Sequence, residues 1–238
     1  MADKSDRLPT TNTNQSEVDA FLVKLAAAPK PRAAGGRGRL IFAMDATASR
    51  QPTWDRACHI QAEMFEATEA LGGVDVQLVF YRGFRECRAS PFVSSARDLL
   101  QRMAGVQCLA GHTQIGRVLN HAAKETRKAK VNALVFVGDA FEEDVDAVGQ
   151  KAGQLGLLGV PAFVFHEGGD PIAGRVFRQI ATLTNGAYCP FDASSAKQLK
   201  DLMGAVAVYA AGGRQALEDY GRRRGGEALR LTNRFGQP

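Results

Sequence analysis

The chain has 238 residues, of which 45% are hydrophobic, enough for one full domain with extensions or at most two small ones. Its net charge of +5 comes largely from two basic segments, residues 30–39 and 221–234, which are typical of solvated tails or linkers rather than of nucleic-acid readers. No apolar run approaches the roughly 20 residues of a membrane span. The first residues lack the apolar stretch of a signal peptide, so a cytoplasmic location is expected. The four scattered cysteines lack the spacing of a zinc or redox motif.

The first part of the chain is polar. Residues 1 to about 15 are rich in Thr, Asn and Ser and are expected to lack a fixed structure. A short amphipathic helix is predicted over 16–28, where it meets Pro29 and a linker rich in Pro, Gly and Arg. We therefore expect residues 1–38 to form a flexible segment that carries one helix.

From Arg39 onward, apolar runs with strand character alternate with runs of helical spacing. This alternation predicts a doubly wound α/β domain over 39–211, with a mostly parallel sheet of about six strands and helices on both faces. A tight turn at Gly83 predicts a hairpin, which adds one antiparallel edge strand. Residues 212–238 are expected to form a basic tail. Strands are predicted at 39–45, 74–81, 84–90, 131–139, 160–169 and 187–192, and helices at 52–71, 94–103, from about 113, at 144–159, 172–186 and 195–211.

Acidic and hydroxyl side chains follow the strands at one edge of this predicted sheet. Asp45 ends the first strand and is followed by Thr47 and Ser49, while Asp139 ends the fourth strand. Thr113 begins a helix that should descend from the same edge. Ligands bind doubly wound sheets beyond the carboxyl ends of the strands, where the strand order reverses. The sequence therefore predicts that two carboxylates and three hydroxyls converge there.

Oxygen donors of these types suit a hard divalent cation, above all Mg²⁺, with Mn²⁺ or Ca²⁺ as alternatives. Two carboxylates roughly balance the charge of the ion, and neutral hydroxyls hold it while leaving positions for water or an outside ligand. A carboxylate from a partner could complete the coordination shell.

The motif D-x-[ST]-x-[ST], followed by a distant Thr and a distant Asp, resembles the metal-ion-dependent adhesion site (MIDAS) of von Willebrand factor A (VWA) domains. The resemblance covers residues 39–211, with Thr47 in place of the usual Ser and Ala140 where Gly commonly follows the strand-end Asp. It implies an intracellular, non-enzymatic module that binds a protein partner with an Asp or Glu, inside a multiprotein assembly. His112 and Arg82 are candidate contacts for that partner. The implied metal ligands are Asp45, Thr47, Ser49, Thr113 and Asp139.

Three other interpretations stay open at this point. The hydroxyls could simply cap helices, with Arg82 as the counter-charge of Asp45, which would leave a metal-free scaffold. Asp45 could be the nucleophile of a magnesium-dependent phosphohydrolase, but that chemistry needs a second acid where Thr47 stands. The acidic residues at 142–146 are expected to complement the positive end of the helix that follows them.

Overall fold

A computed structural model of the chain describes residues 11–29, 37–192 and 196–224. Most of the two basic segments, 30–36 and 225–234, and the predicted unstructured residues 1–10 lie outside these ranges. None of the described helices is long and apolar enough to cross a lipid bilayer. The four cysteines are free thiols.

Eight α-helices, six strands and two short 3₁₀ turns, Ala48–Arg50 and Glu69–Leu71, occur in the described ranges, in the predicted alternation. The strands are β1 (Gly38–Asp45), β2 (Val74–Arg82), β3 (Glu86–Val93), β4 (Ala133–Gly138), β5 (Ala162–Glu167) and β6 (Ala187–Phe191). The helices are α1 (Thr11–Ala27), α2 (Gln51–Ile60), α3 (Ala62–Glu66), α4 (Ala96–Ala104), α5 (Ile115–Lys128), α6 (Val145–Leu157), α7 (Pro171–Leu183) and α8 (Ala196–Arg224).

The strands form one sheet in the order β3-β2-β1-β4-β5-β6. All neighbouring strands are parallel except β3, which pairs antiparallel with β2 at the edge. The strand order reverses between β1 and β4, so the carboxyl ends of these two central strands flank the position where doubly wound folds bind ligands. The predicted fold class is confirmed.

Strand β1 shows why the sheet needs helices on both faces. Every residue from Leu40 to Met44 is completely buried, so the strand is apolar throughout rather than alternating. Leu40, Phe42 and Met44 pack in the cluster formed with α1, α2, α4 and α8, whereas Ile41 and Ala43 pack in the cluster formed with α5, α6 and α7. Asp45 is therefore the first polar side chain after this apolar run, at the carboxyl end of the strand.

The packed structure extends beyond both predicted boundaries, 38 and 211. Helix α1 begins at Thr11, so the expectation of no fixed structure was wrong for residues 11–15. Its Phe21 is fully buried, with ring centroids 5.9 Å from Phe163 and 5.2 Å from Phe165. At the other end, α8 continues past a kink at Gly213 and buries Leu217. In the described residues, both segments therefore pack on the sheet domain rather than standing apart from it.

Candidate metal-binding site

A cleft of about 270 Å³ lies at the carboxyl ends of β1 and β4. It is built from three separate segments: the β1–α2 loop, the loop before α5, and the β4–α6 loop. All five predicted oxygen donors lie on its wall, together with one acidic residue that the sequence did not place there, Glu142. The lining residues are Asp45, Thr47, Ala48, Ser49, Ala110, Gly111, Thr113, Asp139, Ala140 and Glu142.

Asp45 is held rigidly at the base of this cleft. The residue is 1% exposed, its Oδ1 accepts a hydrogen bond of 2.7 Å from the Thr47 backbone N–H, and its Oδ2 accepts one of 3.0 Å from the Tyr81 hydroxyl. Burial is the largest influence on this carboxyl and raises its pKa; the hydrogen bonds from Thr47 oppose that rise. The negative charge of Asp139 raises the pKa further. A cation in the cleft would offset both effects that raise it.

Ser49 and Asp139 connect the first and third segments. The Ser49 hydroxyl donates a hydrogen bond of 3.2 Å to Oδ2 of Asp139. The other carboxylate oxygen of Asp139, Oδ1, is buried and has no hydrogen-bond partner. Buried acceptors without a donor are rare because leaving them unsatisfied costs free energy. This oxygen is therefore an unused acceptor of the kind that a bound cation would satisfy.

Thr113 and Glu142 connect the second and third segments through reciprocal hydrogen bonds. The Glu142 backbone N–H donates to Oγ1 of Thr113 at 3.0 Å, and the Thr113 backbone N–H donates to Oε2 of Glu142 at 3.1 Å. The same Glu142 oxygen lies 3.1 Å from Nδ1 of His112. The pair holds the Thr113 hydroxyl at the cleft, where a second lone pair of its oxygen stays available.

The three hydroxyls do not cap helices, so that alternative was wrong. Thr47 precedes a short 3₁₀ turn without a side-chain capping bond, and the hydroxyls of Ser49 and Thr113 bond to Asp139 and Glu142 as described. Other side chains perform the capping. Ser95 caps α4, Asp144 caps α6, Asp170 caps α7, and the Glu143 carboxylate accepts from the first N–H groups of α5.

The acidic residues after β4 therefore divide their roles among three elements. The prediction that they serve the following helix holds for Asp144, which caps α6, and for Asp146 in its first turn. It was wrong for Glu142, which belongs to the cleft, and for Glu143, which serves α5.

Arg82 does not supply the counter-charge of Asp45. Its guanidinium donates to both carboxylate oxygens of Glu86, at 3.0 and 3.1 Å, and to the carbonyl oxygen of Gln107 at 2.6 Å. The expectation that Arg82 serves as the counter-charge of Asp45 was therefore wrong. Arg82 is half-buried by these bonds, whereas the His112 side chain is 63% exposed at the rim of the cleft.

A different arginine, Arg50, approaches the site from the protein interior. Its side chain is 2% exposed; Nη1 lies 2.5 Å from Oε2 of Glu167 and 3.6 Å from Oδ2 of Asp139. Arg50 does not line the cleft, so it neighbours the donor oxygens without filling the space between them. Its main partner is Glu167, at the end of the neighbouring strand β5, and its positive charge offsets part of the negative charge of Asp139.

The residues present fit a hard divalent cation. The five predicted ligands supply two carboxylates and three hydroxyls, which are oxygen donors of the type that Mg²⁺ prefers, and Glu142 adds a third carboxylate to the wall. One buried carboxylate oxygen, Oδ1 of Asp139, is unpaired. Among the described residues, no group of three or more His, Cys, Asp or Glu side chains is arranged to hold a metal. A cation in this cleft would therefore rely on hydroxyls as well as on carboxylates.

Replacing Tyr81 with Phe is expected to lower the free energy of unfolding by about 1–2 kcal/mol in metal-free buffer, because Oδ2 of Asp45 loses its donor inside the protein. Urea denaturation measures the loss. The same substitution in an Asp45→Ala background should cost less, since the acceptor is then absent as well. Equal losses in the two backgrounds would contradict the role given to this hydrogen bond.

Known proteins resemble the chain in structure but not detectably in sequence. No protein-family model and no curated protein matches it. A von Willebrand factor type A protein from Catenulispora acidiphila superposes with a TM-score of 0.58 at 16% identity, over 72% of this chain and 43% of that chain. The SpRpn10 VWA domain superposes with a TM-score of 0.55 at 11% identity, over 75% of this chain and 97% of that domain.

A third similar structure is proximal thread matrix protein 1 from the mussel byssus, with zinc in its MIDAS motif. It superposes with a TM-score of 0.55 at 17% identity, over 72% of this chain and 45% of that chain. The chain thus spans less than half of the Catenulispora and mussel chains. The chain has the VWA-type fold.

Proposed function

We propose that the chain is a Mg²⁺-dependent protein-interaction module without enzymatic activity, whose metal site is completed by an acidic residue of a protein partner. One observation carries the proposal: oxygen side chains from three distant segments, Asp45 to Ser49, Thr113 and Asp139, line one cleft at the strand switch point. Helix capping does not account for these side chains, because Ser95, Glu143, Asp144 and Asp170 serve the helix starts.

The coordination chemistry of the ion explains why an acidic partner is expected. Mg²⁺ would supply a doubly charged centre with affinity for hard oxygen ligands. Asp45 and Asp139 would balance that charge, and Ser49, Thr47 and Thr113 would contribute uncharged oxygens. Glu142 adds a third carboxylate to the wall and Arg50 is already paired with Glu167, so a partner's carboxylate would be drawn by an open coordination position of the ion rather than by net positive charge.

The similar structures support this proposal in two ways. The mussel protein has a metal in its MIDAS motif, which makes a divalent ion at the equivalent edge of this fold reasonable, although the metal there is zinc. The match to the SpRpn10 VWA domain covers 97% of that chain, so this fold occurs there as a unit of its own. A role inside a multiprotein assembly in the cytoplasm is the accompanying prediction.

The geometry of Asp45 disfavours a phosphohydrolase. A nucleophilic carboxylate must reach its substrate with a free oxygen. Asp45 is 1% exposed, which blocks in-line approach of a bulky phosphate ester, whereas a small cation can use the second lone pair of an oxygen that already accepts a hydrogen bond. The position two residues later is occupied by Thr47, which cannot act as a general acid or base near neutral pH.

Recovery of protein partners from a cell extract tests the proposed function. The wild-type chain is used as bait in Mg²⁺, in excess chelator, and with Asp45→Ala in Mg²⁺. Partners should be recovered in the first condition and lost in the other two. Asp75→Ala, at the start of β2 on the opposite edge of the sheet, is the matched control and should retain them. Identical recovery in every condition would refute the proposal.

A further inference from the structure

The turn between β2 and β3 presents an exposed aromatic ring beside the metal-binding cleft. Phe84, in this turn, is 72% exposed. Its ring contacts the ring of His112 edge-on, with 5.2 Å between the centroids. His112 lies next to Thr113 and bonds to Glu142, and both of those residues line the cleft. Phe84 is therefore separated from the cleft by a single layer of side chains.

Backbone contacts fix the turn against the wall of the cleft. The His112 backbone N–H donates to the carbonyl oxygen of Gly83 at 3.1 Å, and the Gln114 side chain donates to the same oxygen at 3.2 Å. Gly111 approaches so closely that a Cβ on it would lie 2.0 Å from that oxygen, so only glycine fits there. The turn and the cleft wall thus form one connected surface.

A second exposed apolar residue lies in the loop that forms this wall. Leu109 is 45% exposed, and its backbone N–H donates to the carbonyl oxygen of Ala46, next to Asp45, at 3.0 Å. Between Leu109 and His112 the chain passes through Ala110 and Gly111, which line the cleft. Exposed apolar groups therefore lie close to the cleft in both the β2–β3 turn and the loop before α5.

The turn also carries an excess of positive charge. Four arginines, Arg82, Arg85, Arg88 and Arg117, surround it, and the acids nearby are Glu86, Glu142 and Glu143, so the positive charges outnumber the negative ones by one. Glu86 accepts from Arg82 and Arg88. Arg85 is exposed, and its backbone is held by Arg117 at 2.6 Å. A cationic and aromatic surface next to an acidic cleft is complementary to an anionic peptide, not to a cationic one.

We propose that Phe84, Arg85, Leu109 and His112, the hairpin rim, bind a linear acidic segment of the partner. This inference rests on the proposed function, since one carboxylate of that segment would enter the cleft. Next to that acidic residue, the segment would carry an aromatic or aliphatic residue that packs on Phe84 or Leu109. A second acidic residue would pair with Arg85. The rim would thus select among acidic partners, which a metal site alone cannot do.

Selection from a phage-displayed library of random 12-residue peptides tests the hairpin rim. The wild-type chain is the target in Mg²⁺, and the affinities of enriched peptides are then measured by fluorescence anisotropy. Enriched peptides should share an acidic residue near an aromatic or aliphatic one, with a second acid. Phe84→Ala and Arg85→Ala should each weaken binding at least about tenfold, as interface anchors do.

Two exposed residues at the far ends of helices provide matched controls. Leu157→Ala, at the end of α6, and Arg127→Ala, near the end of α5, should leave peptide affinity unchanged. Calorimetric Mg²⁺ titration should give the same metal affinity for all four variants and wild type. Failure to enrich any acidic peptide, or equal binding by Phe84→Ala, Arg85→Ala and wild type, would overturn the hairpin rim.

Repeating the anisotropy measurements in chelator separates the two proposals. Peptides that bind only in Mg²⁺, with affinities that Phe84→Ala and Arg85→Ala do not change, would support the proposed function and contradict the role of the hairpin rim. Peptides that bind equally in chelator, yet are weakened by both substitutions, would support the rim and contradict metal dependence.

Discussion

Replacing Asp45 with Asn is expected to abolish metal binding while leaving the fold intact. The amide is close in shape to the carboxylate and can accept a hydrogen bond from Tyr81 or Thr47, but it carries no charge for the cation. Loss of residues that merely support metal ligands costs about 10–100-fold in affinity, so loss of this carboxylate should cost more than about 100-fold. Calorimetric titration with Mg²⁺ and Mn²⁺ measures the effect.

Thermal unfolding provides the second readout for Asp45→Asn. A ligand at about 100 times its Kd stabilises the native state by about 2.7 kcal/mol. For a domain of this size, that corresponds to a Tm increase of roughly 5–10 °C. Wild type should show this increase and Asp45→Asn should not, although their Tm values in chelator should be similar, because the substitution also removes a repulsion with Asp139.

Asp75→Asn is the matched control for the titration, since Asp75 pairs with Arg37 at the opposite edge of the sheet. It should bind metal as wild type does. A folded wild-type chain that binds neither metal at millimolar concentration would instead favour a scaffold of the same fold. Metal binding that survives Asp45→Asn would place the ion elsewhere.

Replacing Phe21 with Ala is expected to lower the free energy of unfolding by about 3–5 kcal/mol, the usual cost of removing a fully buried aromatic ring. The ring packs against Phe163 and Phe165 on β5, so its removal would leave a cavity between α1 and the sheet. Urea denaturation measures the loss and also shows whether unfolding occurs in one step.

Val23 on the same helix supplies the comparison. It is 40% exposed, and Val23→Ala should change stability by no more than about 0.5 kcal/mol. If Phe21→Ala were as mild as Val23→Ala, α1 would be an appended helix, as the sequence first suggested. An early unfolding step that removes α1 alone would have the same meaning.

The sequence predicted the sheet and the position of the candidate donors at one of its edges because both depend on local patterns. The apolar run 40–44 can only be a buried strand, and an acid directly after it must emerge at the carboxyl edge. The same reasoning located Asp139 after β4. The position of Thr113 at the same edge could be predicted only after the hairpin was recognised. The antiparallel strand β3 returns the chain to the opposite edge and so determines the edge at which the later helix begins.

The contacts around these donors could not be predicted, because they join residues far apart in the chain. The hydrogen bond between Tyr81 and Asp45 is a partial exception, because the two residues are paired in the parallel register of β1 and β2. Arg50 follows Ser49 in sequence, but only the packing of β5 beside β4 reveals Glu167 as its partner. The burial of α1 was missed because its polar first turn and the linker that follows suggested a detached segment.

The segment that follows β4 has a consequence for tolerance to insertions and deletions. Three consecutive acids each serve a different element: Glu142 holds Thr113, Glu143 holds the first turn of α5, and Asp144 starts α6. Removing or adding one residue between Asp139 and Glu142 would shift all three carboxylates by one position at once. Length variation, which surface loops usually tolerate, should therefore be far more damaging here than the replacement of any single acid.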